Sequence, residues 1–126
     1  MRAQLREGLL GFIAVLCSLT ALSAMLDPDW TASKLGMLLV GVDGYSQFYA
    51  IYVGLRLATA ALALLAARHG DQPLLGDITA MFILAQPAGR CIAAFAIGLP
   101  QGFLLGVCAI ELVLGLSVLA LRPRPR

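Results

Sequence analysis

Apolar residues dominate four stretches of this chain, and no stretch carries a repeating polar face. The runs cover about residues 8–26, 45–67, 75–98 and 102–121, nineteen to twenty-four residues each. A helix rises 1.5 Å per residue, so each run matches a hydrocarbon core of about 30 Å. A helix of a soluble bundle keeps one polar side, and these segments are apolar all round. Short polar segments rich in Pro, Gly and Asp separate them. The pattern predicts an all-α integral membrane four-helix bundle in a single domain, residues 1–126. It adds a short interfacial or re-entrant helix between the first and second spans.

Taken in order, the first run follows Arg2 and Arg6 and presents Gly11, Ala14, Ser18 and Ala21 on one face, a small-residue stripe suited to close helix packing. Its basic start and apolar centre resemble a signal peptide, but the run is long for one and three more spans follow. An uncleaved first helix is therefore expected. After it, Asp27-Pro28-Asp29-Trp30 marks a boundary at which Asp29 can cap a helix and Trp30 can sit at the membrane interface. Ala32, Leu35, Leu38, Leu39 and Val42 then recur at helical spacing over a length too short to span, a segment able to lie passively on the surface or to cover an opening as a lid. Asp43-Gly44 reads as the turn into the second span.

Within that second span Tyr45, Tyr49, Tyr52 and Arg56 are spaced by four, three and four residues, so an α-helix carries them on one narrow arc. In the third span Gln86 and Arg90 share a face with Thr79 and Phe82, and Pro87 removes one helix hydrogen bond beside them. Gly98-Leu99-Pro100-Gln101-Gly102 is a tight turn. The fourth span looks inward through Leu104, Cys108, Glu111, Gly115 and Val118.

Composition agrees with a bilayer: 60% of residues are hydrophobic, 13% are charged, and the mean hydropathy is +0.90. The net charge of +2 comes from arginines at the ends and one turn, which speaks for topology and against nucleic-acid binding. Three scattered cysteines and one loop histidine give no metal-ligand spacing, and no cofactor is implied. Arg2, Arg6, Arg68, Arg122, Arg124 and Arg126 flank one side of the spans and only Lys34 flanks the other. The expected address is a bacterial inner membrane with both termini cytoplasmic, and the tail from Arg122 is expected to be extended and solvated.

That orientation levels three charges. Arg56 lies eleven residues below the outer start of its span, Glu111 nine and Arg90 eight, so they meet within one helical turn of depth. Interhelical polar contacts in membranes average only about 0.6 kcal/mol, which makes simple fastening a weak reason to carry such groups. Two guanidiniums and one carboxylate leave an excess cation, which points to a wet cavity or an anionic ligand. Arg56, Arg90, Glu111, Tyr49, Tyr52 and Gln86 are the candidate ligand-binding residues. Glu111 is the one candidate for catalysis, as acid or base.

Ile51-Tyr-Val-Gly-Leu-Arg-Leu57, Gly89-Arg90, Gly98-Leu99-Pro100 and Glu111-Leu-Val-Leu-Gly115 together resemble a family of small bacterial four-span membrane proteins of unknown function, distantly similar to DoxX-like proteins. The resemblance covers about residues 45–121. This chain departs from it at Gln47 and Tyr49, where an acidic and a basic residue are expected, and Arg56 stands in for the missing basic group. It implies the four-span topology and, through DoxX-like relatives, an association with membrane redox and quinone chemistry. Three functions fit the residues: a bundle binding an amphipathic anionic or lipid-like molecule for transport or sensing, a membrane enzyme on a quinone or isoprenoid, or an accessory subunit. Partners are the lipid bilayer, such a small molecule, and a second copy or a membrane protein.

Overall fold

The computed structural model describes residues 1–124. Helices and their connections account for all of them, with no strand among the described residues. Four helices are long and apolar enough to cross a membrane: α1 (Arg2–Leu26), α3 (Gly41–Arg68), α4 (Pro73–Ile97) and α5 (Phe103–Ala120). A fifth, α2 (Pro28–Lys34), is a short surface helix. Together they make a polytopic membrane protein.

The helix starts and stops follow local chemistry. The Asp27 carboxylate accepts the Trp30 amide at 3.0 Å and caps α2, while Pro28 occupies its first turn. The expected cap, Asp29, instead accepts the Tyr45 hydroxyl at 2.6 Å and ties α2 to α3. The helical spacing that runs on to Val42 breaks at Gly36, whose φ of +75° an L side chain rarely adopts. Chain direction is reset there, and α3 begins at Gly41, before the expected start at Tyr45. Asp43-Gly44 is therefore helix and not turn, with Asp43 in the first turn, where the helix dipole favours a carboxylate. At the other end of the bundle, Gly98 at φ +94° stops α4 and Gly102 at φ +62° opens α5, the tight turn the sequence predicts.

The core is built from small residues, because van der Waals contact rather than water expulsion holds helices together in lipid. Leu10, Ile13, Ala14 and Cys17 of α1 pack on Ala60, Ala63 and Ala66 of α3, with Ala80 and Ile83 of α4 and Val118 of α5 completing the cluster. Larger apolar side chains such as Phe12, Val15, Met81, Ile92 and Val113 face outward, where lipid solvates them. Phe82, one turn before Gln86 on α4, is also exposed. Of the inward stripe that the spacing predicts on α5, Cys108, Glu111, Gly115 and Val118 are buried and Leu104 is half-buried. A Cβ built on Gly115 comes within 2.5 Å of the Leu84 side chain. Gly115→Ala is therefore expected to cost about 1–3 kcal/mol through overpacking of the α4–α5 contact, read as a lower melting temperature in detergent.

A second cluster sits at the end of the bundle where α2 lies: Ala24, Ala32, Phe48 and Val53, with Leu35, Met37, Leu39 and Tyr52 against it. The α2 segment thus covers the ends of α1 and α3.

The opposite end holds an ion cluster that the sequence reading treats as flanking charge. Arg6 is buried, 4% exposed, inside α1. Its Nε donates to the Val118 carbonyl at 3.0 Å, Nη1 to the Pro73 carbonyl at 3.1 Å, and Nη2 to Asp77 Oδ1 at 2.5 Å. The Val118 bond satisfies a carbonyl of the last turn of α5, where a cation also suits the helix dipole. Gly76 makes room, since a Cβ there meets the Arg6 guanidinium carbon at 2.8 Å. Arg122 Nε adds an ion pair to Asp77 Oδ2 at 3.0 Å, so the tail is anchored at its start and not wholly solvated. Arg126, counted with the basic flank, lies outside the described residues.

Candidate functional site

The inward face of α3 explains how Arg56 reaches the bundle centre. Buried positions run Phe48, Val53, then Thr59, Ala60, Ala63 and Ala66. The first step is five residues, too long for an α-helix, and it falls where Ala50–Leu55 forms a π segment. Each π turn takes in one extra residue, which rotates everything after it by about 100° relative to α register. Arg56 is therefore turned off the tyrosine arc and toward α4 and α5. The four-residue arithmetic that puts Tyr45, Tyr49, Tyr52 and Arg56 on one arc assumes a regular helix and fails here.

Four of the six candidate residues come together. Arg56 Nη2 donates to Glu111 Oε1 at 2.6 Å and to Gln86 Oε1 at 3.0 Å. Arg90 Nη1 donates to Glu111 Oε2 at 2.5 Å, and its Nη2 to the same Gln86 oxygen at 3.1 Å. One carboxylate and one amide oxygen thus bridge two guanidiniums drawn from α3 and α4. Gln86 and Arg90 share a face because four residues separate them on α4. The cluster is largely dry: Glu111 is 6% exposed, and the side chains of Arg56 and Arg90 are 14% and 16% exposed. Its formal charge is +1.

Tyr49 and Tyr52 lie elsewhere. The Tyr52 ring stacks on Phe48 with centroids 4.9 Å apart, and Tyr49 meets Phe48 edge-on at 6.3 Å. Neither hydroxyl bonds to the Arg/Glu cluster; Tyr52 packs against the Phe48 cluster and Tyr49 is exposed.

Beside the cluster is a cavity of about 370 Å³ between α1 and α5. Ile13, Leu16, Cys17 and Thr20 form one wall and Phe103 to Leu114 the other, with Ile83 behind. Arg56 and Glu111 are its only charged lining; Gln86 and Arg90 stand behind them and do not line it. No residue of the 27–44 segment lines it either, so that segment is no lid for this cavity. Arg56 Nε is buried, and it is the one buried side-chain nitrogen or oxygen without a hydrogen-bond partner among the described residues. An unsatisfied donor of this kind costs about 1–3 kcal/mol, and more when charged. Sequence reasoning missed the contribution of α1: Cys17 and Thr20 reach the cavity from a helix read only as a packing surface. Their spacing of three, on a face next to the small-residue stripe, is the signal that was present. No group of three or more His, Cys, Asp or Glu residues able to hold a metal occurs among the described residues.

A family model described as a domain of unknown function, DUF4345, matches residues 5–121. Comparison with curated proteins gives no match, and comparison with solved structures gives none.

Proposed function

Since this chain belongs to the DUF4345 family, whose description assigns no activity, its role has to be argued from the site, and we propose that the bundle binds an amphipathic anionic or lipid-like molecule for transport or sensing. The observation that carries the reading is Arg56: its charged side chain lines an apolar cavity large enough for a small ligand, and its buried Nε–H has no protein partner. A ligand oxygen there gives the guanidinium a charge-assisted hydrogen bond. Gln86 and Arg90 act from behind, fixing Glu111 and Arg56 in place, and the apolar walls take the rest of the molecule. Tyr49 and Tyr52 do not line the cavity and are left out of the ligand contacts.

Arg2, Arg68, Arg122 and Arg124 crowd one end of the spans while Lys34 stands alone at the other. Both termini accordingly face the cytoplasm of a bacterial inner membrane, and the cavity lies toward the outer half of the bilayer.

Arg56→Lys tests the reading, because it keeps a cation and removes the unpaired Nε–H. In native mass spectrometry from lipid nanodiscs, wild-type protein incubated with palmitate is expected to hold one palmitate per chain. Arg56→Lys should lose at least about tenfold in occupancy, the value of one charge-assisted bond of about 1.4 kcal/mol or more. Equal retention by both proteins would place any ligand elsewhere.

A further inference from the structure

Resting on the ligand-binding reading, we infer that the ligand is a weak acid, a long-chain carboxylic acid, which reaches Arg56 sideways from the lipid with its polar end first and uncharged. The position of the cavity leads there. Helices α1 and α5 are joined near the Arg6–Val118 bond, and from Ile13 to Thr20 on α1 the cavity occupies the space between them. Four of its lining residues, Thr20, Phe103, Gly106 and Ile110, are themselves exposed on the outside of the bundle. On α5 the lining extends from Phe103, at the helix start, to Leu114, about 16 Å along the axis. The mouth therefore opens along the hydrocarbon and not into water.

The polar end of the site lies deep. Glu111 is eight residues below Phe103, about 12 Å into a helix that is itself about 27 Å long. A phospholipid keeps its headgroup at the interface, so a ligand with its polar end at Arg56 sits in the opposite sense to the surrounding lipids. To arrive, that end must cross hydrocarbon. A sulfonate or phosphate diester crosses as an ion and bears the full cost of charge at mid-membrane. A carboxylic acid crosses as the neutral molecule, whose population desolvation favours. Its proton travels with it, so the net charge of the membrane interior does not change. Once inside, a carboxyl oxygen pairs with the Arg56 guanidinium and the alkyl chain lies along Phe103, Gly106, Val107 and Ile110. Gly106 is the open position of this track: a Cβ built there meets nothing within 4 Å.

The test compares palmitate with the sulfonate of equal chain length, hexadecylsulfonate, added to protein in nanodiscs and followed by native mass spectrometry over time. Palmitate is expected to load at one per chain, more slowly as pH rises and the neutral acid becomes scarce. The sulfonate should load on the order of a hundredfold more slowly, the ratio set by an ion at mid-bilayer. Gly106→Leu, which fills the track without a clash at its Cβ, should lose palmitate while keeping the wild-type melting temperature. Loading of both amphiphiles at the same pH-independent rate overturns the weak-acid inference and leaves ligand binding standing. Failure of both to load overturns the ligand-binding reading itself. Undiminished palmitate in Gly106→Leu overturns the track.

Discussion

Replacing Glu111 with Gln is expected to destabilise the bundle by about 3 kcal/mol, near the lower end of the cost of breaking a buried ion pair. The side chain keeps its shape, and the loss is electrostatic: two guanidiniums, each 16% exposed or less, face each other across Gln86 with no carboxylate between them. The effect should appear as a clear fall in melting temperature in detergent. Removing Arg90 as well, in Glu111→Gln/Arg90→Gln, should recover part of it, because one of the unbalanced cations goes too. A double-mutant cycle then reads the coupling directly. An unchanged melting temperature for Glu111→Gln alone would mean that the carboxylate is not the bridge between the two arginines.

Arg6→Ala should cost as much, about 3 kcal/mol, for a different reason. Arg6 is a staple near the N-terminus of α1, bonding α4 through Pro73 and Asp77 and α5 through Val118. Its loss leaves Asp77 to Arg122, whose side chain is 57% exposed, and leaves the Val118 carbonyl without its side-chain donor. Arg122→Ala serves as the contrast: an exposed pair contributes only about 0–1 kcal/mol. Thermal unfolding of the two variants side by side should rank them in that order, and equal losses would make the tail and not the staple the important partner. Both variants should leave palmitate occupancy per folded molecule unaltered, since neither residue lines the α1–α5 cavity.

The contrast between the two clusters shows what the sequence makes legible. Arg56, Arg90 and Glu111 each interrupt an apolar run, so each asks for a partner, and counting residues from the outer ends is enough to bring them level. Arg6 and Asp77 stand at the edges of their runs, where a charge needs no explanation, and nothing in the pattern reveals that Arg6 is buried. The spans themselves are plain from hydropathy, but their ends are set by single residues. Gly36 decides where α2 stops, and the chain re-enters helix at Gly41, ahead of the first residue of the tyrosine arc. The π segment is the deeper failure. Ala50–Leu55 contains nothing that breaks an α-helix beyond Gly54, and the evidence for the extra residue is the five-residue step from Phe48 to Val53, visible only once it is known which residues are buried. That step separates the tyrosines from Arg56. The cavity depends on how far α1 and α5 stand apart, which no single helix encodes.

The central claim is that Arg56 presents a free donor to a molecule lodged between α1 and α5. It is tested most directly by a cryo-electron microscopy map of protein purified gently, with its native lipids retained. Elongated density is expected to run from Phe103 toward Glu111 and to end within hydrogen-bonding distance of the Arg56 guanidinium. Closure of α1 onto α5, with Arg56 Nε bonded to a protein group and no density between the helices, would contradict it.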